Sequence, residues 1–298
     1  MRKLRGSVAA SLAVYLGGVG VSVGQSPNVL SPSQSNDATA ANQSTGLDSS
    51  WVWYVTPRAW FTTLSDKRFQ PGASDVEQTQ SFPIYMGGAT IGVKPPGWDT
   101  TVDFTALYGG SSGASFTQAD LLAGDAFQGT IRASRLDVES LAHIPFGSKV
   151  ATIDVGMRYI HSSSNITGSD LFGLPFQFRE KSNYFIPEIG LSAASPPLWA
   201  DSDYKQYIFG AMSVGIGYKQ TTDNDTCCSG LNTVFYTRSG GVVALDGFVG
   251  YQIQLGKAWN AIRASVRYRF QYISQGRFDL SQPTFISGPE ISFTIPFH

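Results

Sequence analysis

The sequence predicts an all-β fold, an antiparallel transmembrane β-barrel of about ten strands. Three observations carry this: apolar–polar alternation in two long strands within residues 259–297, its recurrence along the chain, and turn-forming residues between the repeats. From residue 260 the even positions run Ile262, Ala264, Val266, Tyr268, Phe270 and Tyr272, and the odd positions Arg263, Ser265, Arg267, Arg269 and Gln271. Successive side chains of a strand point to opposite faces, so one face is apolar and the other polar. After residues 274–287 the pattern returns, with Ile291, Phe293, Ile295 and Phe297 opposite Glu290, Ser292, Thr294 and Pro296. Strands of roughly 9–11 residues cross a bilayer at a tilt, and an apolar face ending in aromatics suits its lipid.

The first fifty residues precede this fold. Residues 1–24 have the parts of a secretory signal: Arg2, Lys3 and Arg5, an apolar run over residues 7–23, and small Ser22 and Gly24 before a cleavage point at Gln25. The mature chain is thereby expected in an oxidising compartment. Residues 25–50, rich in Ser, Asn, Gln and Asp without apolar periodicity, read as a disordered periplasmic lead. The barrel is expected to occupy residues 51–298.

Each element follows from the same alternation. The first strand, residues 51–64, sets Trp51, Trp53, Val55, Ala59 and Phe61 against Tyr54, Thr56, Arg58 and Thr62; its two Trp suit an interfacial girdle. Residues 82–94 form a Gly-rich second strand, and Pro95-Pro96-Gly97 a tight turn. Residues 98–108 place Val102, Phe104, Ala106 and Tyr108 opposite Asp103 and Thr105. Leu136, Val138, Ala142 and Ile144 then oppose Arg135, Asp137 and Glu139, and Ile153, Val155, Met157 and Tyr159 oppose Thr152, Asp154 and Arg158. Further strands follow at 184–194, with Glu188 inward, at 204–219, and at 241–255, with Asp246 inward. Ten strands result; one misread hairpin would make them eight or twelve. The stretches 65–81, 109–125, 162–182, 221–240 and 274–287 read as the long outer loops, with short turns at the periplasmic end.

Composition excludes several classes. Charged residues are 14% and aromatics 13%, so an apolar outer face takes the place of a soluble core. A net charge of −1 argues for no nucleic-acid partner. Cys227 and Cys228 are adjacent, and either bridge each other under strain or pair elsewhere. No metal and no cofactor is expected.

The C-terminal pattern Gly288, Ile291, Phe293, Ile295, Phe297 resembles the closing strand of bacterial outer-membrane β-barrels, departing from it by the extra His298. The resemblance covers residues 51–298 and implies a Gram-negative envelope protein in the cell outer membrane. Outer-membrane lipid and the barrel assembly machinery are its implied partners, the latter reading Ile291, Phe293, Ile295 and Phe297.

The inward positions collect Arg58, Asp103, Arg135, Asp137, Glu139, Asp154, Arg158, Glu188, Asp246, Arg263, Arg267, Arg269 and Glu290. Mixed charges in a narrow lumen either pair into a plug or line a narrow, porin-like pore. His161 and Ser163 share a strand face, where a His can activate a hydroxyl. This pair resembles the His-x-Ser-Asn segment of lipid A 3-O-deacylases, with the Asn displaced to Asn165 and Glu180 or Glu188 as candidates for the acidic partner. A ten-stranded outer-membrane protease needs paired Asp and an Asp/His couple at the outer rim; Asp223 and Asp225 have no neighbouring His. His143 and His298 read as solvated. The expected protein is a monomeric, non-catalytic structural or surface barrel that passes small solutes if its lumen is open. The alternative is an outer-leaflet lipid hydrolase using His161 and Ser163.

Overall fold

The computed structural model describes residues 51–68, 78–120, 125–146, 151–170, 172–198, 204–227, 232–255, 262–274 and 283–297. The expected signal and lead, Cys228 and His298 lie outside these residues. The strands are β1 (Val52–Arg68), β2 (Gln78–Lys94), β3 (Thr101–Gly110), β4 (Ala114–Asp120), β5 (Asp125–Phe146), β6 (Ala151–Ser169), β7 (Pro175–Ala194), β8 (Tyr204–Cys227), β9 (Asn232–Leu255), β10 (Ile262–Ser274) and β11 (Pro283–Phe297).

Apart from β3 and β4, neighbours in sequence pair antiparallel, and two further pairings close the ring. β1 pairs β11, with Trp53 opposite Phe297, and β3 pairs β5, with Val102 opposite Ala142. β4 also pairs β5, above β3, so β3 and β4 are one wall position interrupted at residues 111–113. Gly113 takes a φ of 110° there, and the Ser111 N–H donates to the Ala133 carbonyl at 2.8 Å. The barrel therefore has ten walls. The Pro95-Pro96-Gly97 turn is closed by the Trp98 N–H donating to the Pro95 carbonyl, with Gly97 at φ 71°, a conformation Gly adopts without steric cost.

The outward face carries an apolar band between two aromatic levels. Trp51, Trp53, Trp98, Phe146 and Tyr204 are exposed at the end shared by the first and last residues, and Phe61, Tyr85, Tyr108, Phe185, Tyr218 and Tyr268 at the other level. Along β1, Trp51 and Phe61 stand about 25 Å apart on the barrel axis at ~3.3 Å per residue and a tilt near 40°. That height matches the apolar band of outer-membrane barrels.

The expected outer loops are largely strand. β6 runs on to Ser169, β7 starts at Pro175, β8 reaches Cys227 and β9 starts at Asn232. Past the lipid the outward face of a strand is polar, so the apolar outer row stops while backbone pairing continues and Ile131, Ile166 and Phe176 stay buried on the inner face. Beyond Tyr218, β8 rises roughly 20 Å further by the same arithmetic. The β6–β7 tip is a five-residue-scale turn in which the Asp170 carboxylate accepts the Phe172 and Leu174 N–H groups, at 2.9 and 2.7 Å, with Gly173 at φ 75°.

Candidate functional site

The lumen is the candidate site, and it is layered. In its outer half Trp60, Leu64, Phe82, Ile84, Met86, Leu107, Ile131, Ile166, Phe176 and Ile286 form one buried apolar cluster. Its members run from Ile286 on β11 and Trp60 on β1 through β2, β3 and β5 to Ile166 on β6 and Phe176 on β7, so the cluster draws on seven of the ten walls. A second cluster, Ile160, Tyr184, Ile186, Val242, Ala244 and Ile273, joins β6 and β7 to β9 and β10. The Trp60 indole N–H donates to the Gly288 carbonyl at 3.2 Å, leaving the ring free of an unsatisfied donor.

Beneath these clusters the charges meet. Arg158 donates to Glu139 and, at 2.8 Å, to Asp246, with Asp137 at 3.6 Å and Glu188 at 3.7 Å. Arg269 joins Asp246, at 2.9 Å, to Glu290, at 3.7 Å. Glu290 also takes Arg267 at 2.6 Å and Arg58 at 3.5 Å. Arg135 lies 3.5 Å from Asp137 and donates to the Gln271 carbonyl, while the Gln271 amide donates to Asp246 at 3.1 Å. Arg158 to Asp246 and Arg135 to Gln271 are ties across the lumen, from β6 to β9 and from β5 to β10. Burial makes an unpaired charge costly, so each guanidinium that shares carboxylates fixes several strands at once.

Ten of the thirteen inward charges named from the sequence thus form one network: Arg58, Arg135, Asp137, Glu139, Arg158, Glu188, Asp246, Arg267, Arg269 and Glu290. Asp103 and Asp154 stand apart, and Arg263 is buried beside the strand partners Gln254 and Thr294. His143, expected to be solvated, is buried instead. Its Nδ1 is 2.7 Å from Asp154 and its Nε2 is 3.4 Å from Asp103, because inward alternation on β5 carries it between β3 and β6. Tyr54 reaches Asp103 with its hydroxyl, its ring lying against Gly92, where a Cβ would collide with it. A cavity of about 90 Å³ lies at this level, lined by Arg58, Asp103, His143, Asp154, Arg267 and others.

His161 and Ser163 face outward, above Tyr159. The His161 Nδ1 is 2.8 Å from the Asn183 carbonyl oxygen, which also accepts from the Tyr159 hydroxyl at 2.9 Å. Glu180 and Glu188 both lie on the inward face, Glu188 within the charge network, so neither stands with His161. Asn183 is the partner that spacing did not reveal: it is strand-paired directly opposite His161, twenty-two residues on. Ile291, Phe293, Ile295 and Phe297 are all exposed on the outward face of β11. Among the described residues, no group of three or more His, Cys, Asp and Glu is arranged to hold a metal ion.

No family model and no curated protein matches the chain. Among solved structures it is similar to the outer membrane protease OmpT from Escherichia coli, at 10% identity and a TM-score of 0.52, over 86% of this chain and 99% of that one. OccK9 (OpdG) from Pseudomonas aeruginosa, at 8% identity over 85% of this chain and 100% of that one, scores 0.18. OprB from Pseudomonas putida, at 8% identity over 84% and 95%, scores 0.17. The likeness to OmpT is one of fold. With the closed ten-stranded ring, it gives this chain the fold of a bacterial outer-membrane β-barrel.

Proposed function

We propose that the protein is a non-catalytic outer-membrane barrel with a sealed lumen, a structural or surface element that holds paired strands above the lipid. The observation that carries this reading is the buried apolar cluster to which seven of the ten walls contribute, set against the charge network where Arg269 lies over Trp60. A ten-stranded ring leaves more interior than an eight-stranded one, and bulky side chains fill it. The two described His add support: His143 is buried in the lumen between two Asp and His161 faces outward, so among the described residues no His stands inside the outer mouth. The test is planar-bilayer conductance of the refolded protein, with heat-dependent gel mobility as the measure of folding. Folded protein without current is expected. Reproducible steps, altered in Arg267→Ala, would replace this reading with a narrow pore.

One observation favours a second reading, the outer-leaflet lipid hydrolase. The Asn183 carbonyl holds Nδ1 of His161 as a donor, which leaves Nε2 as a base on the face that carries Ser163. Loss of an ester-linked acyl chain from outer-leaflet lipid, abolished by His161→Ala and by Ser163→Ala, would support it. An unchanged lipid profile on expression of the wild type would remove it.

A further inference from the structure

Charge on the extramembrane part of β5 to β8 is sorted by face. Above the aromatic level of Tyr159, Phe185 and Tyr218, the outward positions are Gln128, Thr130, Arg132 and Ser134 on β5, and His161, Ser163, Asn165, Thr167 and Ser169 on β6. β7 adds Gln177, Arg179, Lys181 and Asn183, and β8 Gln220, Thr222, Asn224 and Thr226. Each of these described positions is neutral or basic. Glu180 and Asp223 of the same stretch lie on the other face, Glu180 beside Ser182 and Asp223 with Arg238 at 2.6 Å.

Arg132, Arg179 and Lys181 are all exposed. Strand register sets Arg132, Asn165 and Arg179 in one row across β5, β6 and β7, with Ser134, Ser163 and Lys181 in the row two residues nearer the membrane. Two strand spacings put the two Arg about 10 Å apart at their Cα atoms, around a centre of Ser163 and Asn165. Ser163 and Lys181 stand about 10 Å above Tyr159 on the barrel axis, at the outer edge of the headgroup layer, and Arg132 and Arg179 about 15 Å above it. Long basic side chains at this height reach down to phosphate while their stems stay on the protein surface.

We infer that this outward face of β5 to β7 docks a phosphate-bearing lipid headgroup of the surrounding leaflet, with Arg132, Arg179 and Lys181 around the phosphate and Ser163 and Asn165 as neutral donors between them. The inference rests on the membrane-spanning reading above. It explains why Glu180 and Asp223 point inward: a carboxylate on the outer face would repel the ligand.

The test uses the full-length protein refolded into mixed vesicles of phosphatidylglycerol and phosphatidylcholine, with retained lipid counted by native mass spectrometry after gentle extraction. The wild type is expected to keep phosphatidylglycerol in preference to phosphatidylcholine. Each alanine at Arg132, Arg179 or Lys181 should weaken that preference about fivefold, from roughly 1 kcal/mol per basic side chain near an anionic surface. The charge-preserving set Arg132→Lys, Arg179→Lys and Lys181→Arg should keep it, which separates charge from folding. Insertion with no lipid preference, or a preference that survives the triple alanine variant, overturns the docking site and leaves the barrel reading standing. Failure to insert at all would remove both. Displacement of the lipid by excess inorganic phosphate, with phosphate then bound in a manner that depends on Arg132, would assign the site to free phosphate and overturn the lipid.

Discussion

The guanidinium of Arg269 lies over the indole of Trp60, 4.8 Å from the ring centroid. One residue belongs to the charge network and the other to the apolar cluster, so the two layers of the lumen are joined face to face. Below them, Arg267 covers the Phe248 ring at 4.1 Å in the same way. Aromatic rings therefore cover the charged layer at Arg269 and at Arg267.

Trp60→Ala is expected to lose this stacking, the bond to Gly288 and the largest fully buried side chain of the lumen. A loss of about 3–5 kcal/mol fits large-to-small changes in packed interiors. The midpoint of urea unfolding, followed by gel mobility of unheated samples, measures it. A change below 1 kcal/mol, on the scale of a surface substitution, would show that the cluster contributes little.

Arg158→Met should be more damaging than its volume suggests. It leaves Glu139, Glu188, Asp246 and Asp137 facing one another around an uncharged stem, and breaking a buried pair from one side costs about 3–5 kcal/mol. Adding Glu139→Gln and Glu188→Gln to the same chain should recover part of that loss. Equal stability of the single and triple variants would show that repulsion is not the cause.

Gly92 has no room for a methyl group, because Tyr54 lies where it would go. Gly92→Ala is expected to push the Tyr54 hydroxyl off Asp103 and destabilise the barrel by about 1–3 kcal/mol, as overpacking does. In a double-mutant cycle with Tyr54→Ala the two losses should be far from additive. Additive losses would place the strain elsewhere.

Phe297 is exposed on the outer face and strand-paired with Trp53, so Phe297→Ala should change the stability of the finished barrel by less than about 1 kcal/mol. Its effect is expected in assembly: a lower yield of the folded form when purified barrel assembly machinery drives insertion, with unassisted refolding unchanged. Equal losses in both would mean that the side chain matters for folding alone.

The alternation located each wall because lipid on one side and charge on the other give period two its contrast. It also put Arg58, Glu139, Arg158, Asp246, Arg267 and Glu290 on the inner side. It did not reveal what they touch, since Arg158 meets Asp246 across the lumen and no spacing encodes that distance. The apolar layer was hidden for a different reason. On β2, Phe82, Ile84 and Met86 face inward while Tyr85 and Ile91 face lipid, so both faces are apolar and the contrast vanishes. The strand extensions were hidden because their outward face is polar past the lipid, so the apolar row that marks a lipid-facing strand is missing there. His143 sits next to a turn in sequence, yet the inward register of β5 buries it.

The ring is closed by its first and last strands, from Trp53 against Phe297 to Asp66 against Thr284. Until β11 is in place, β1 and β10 are both bare edges, each a row of backbone donors and acceptors that hydrocarbon cannot satisfy. A chain cut anywhere before residue 283 therefore has no partial barrel to settle into, and its open seam would invite the seam of another molecule. Closure of the ring thus rests on the fifteen residues of β11.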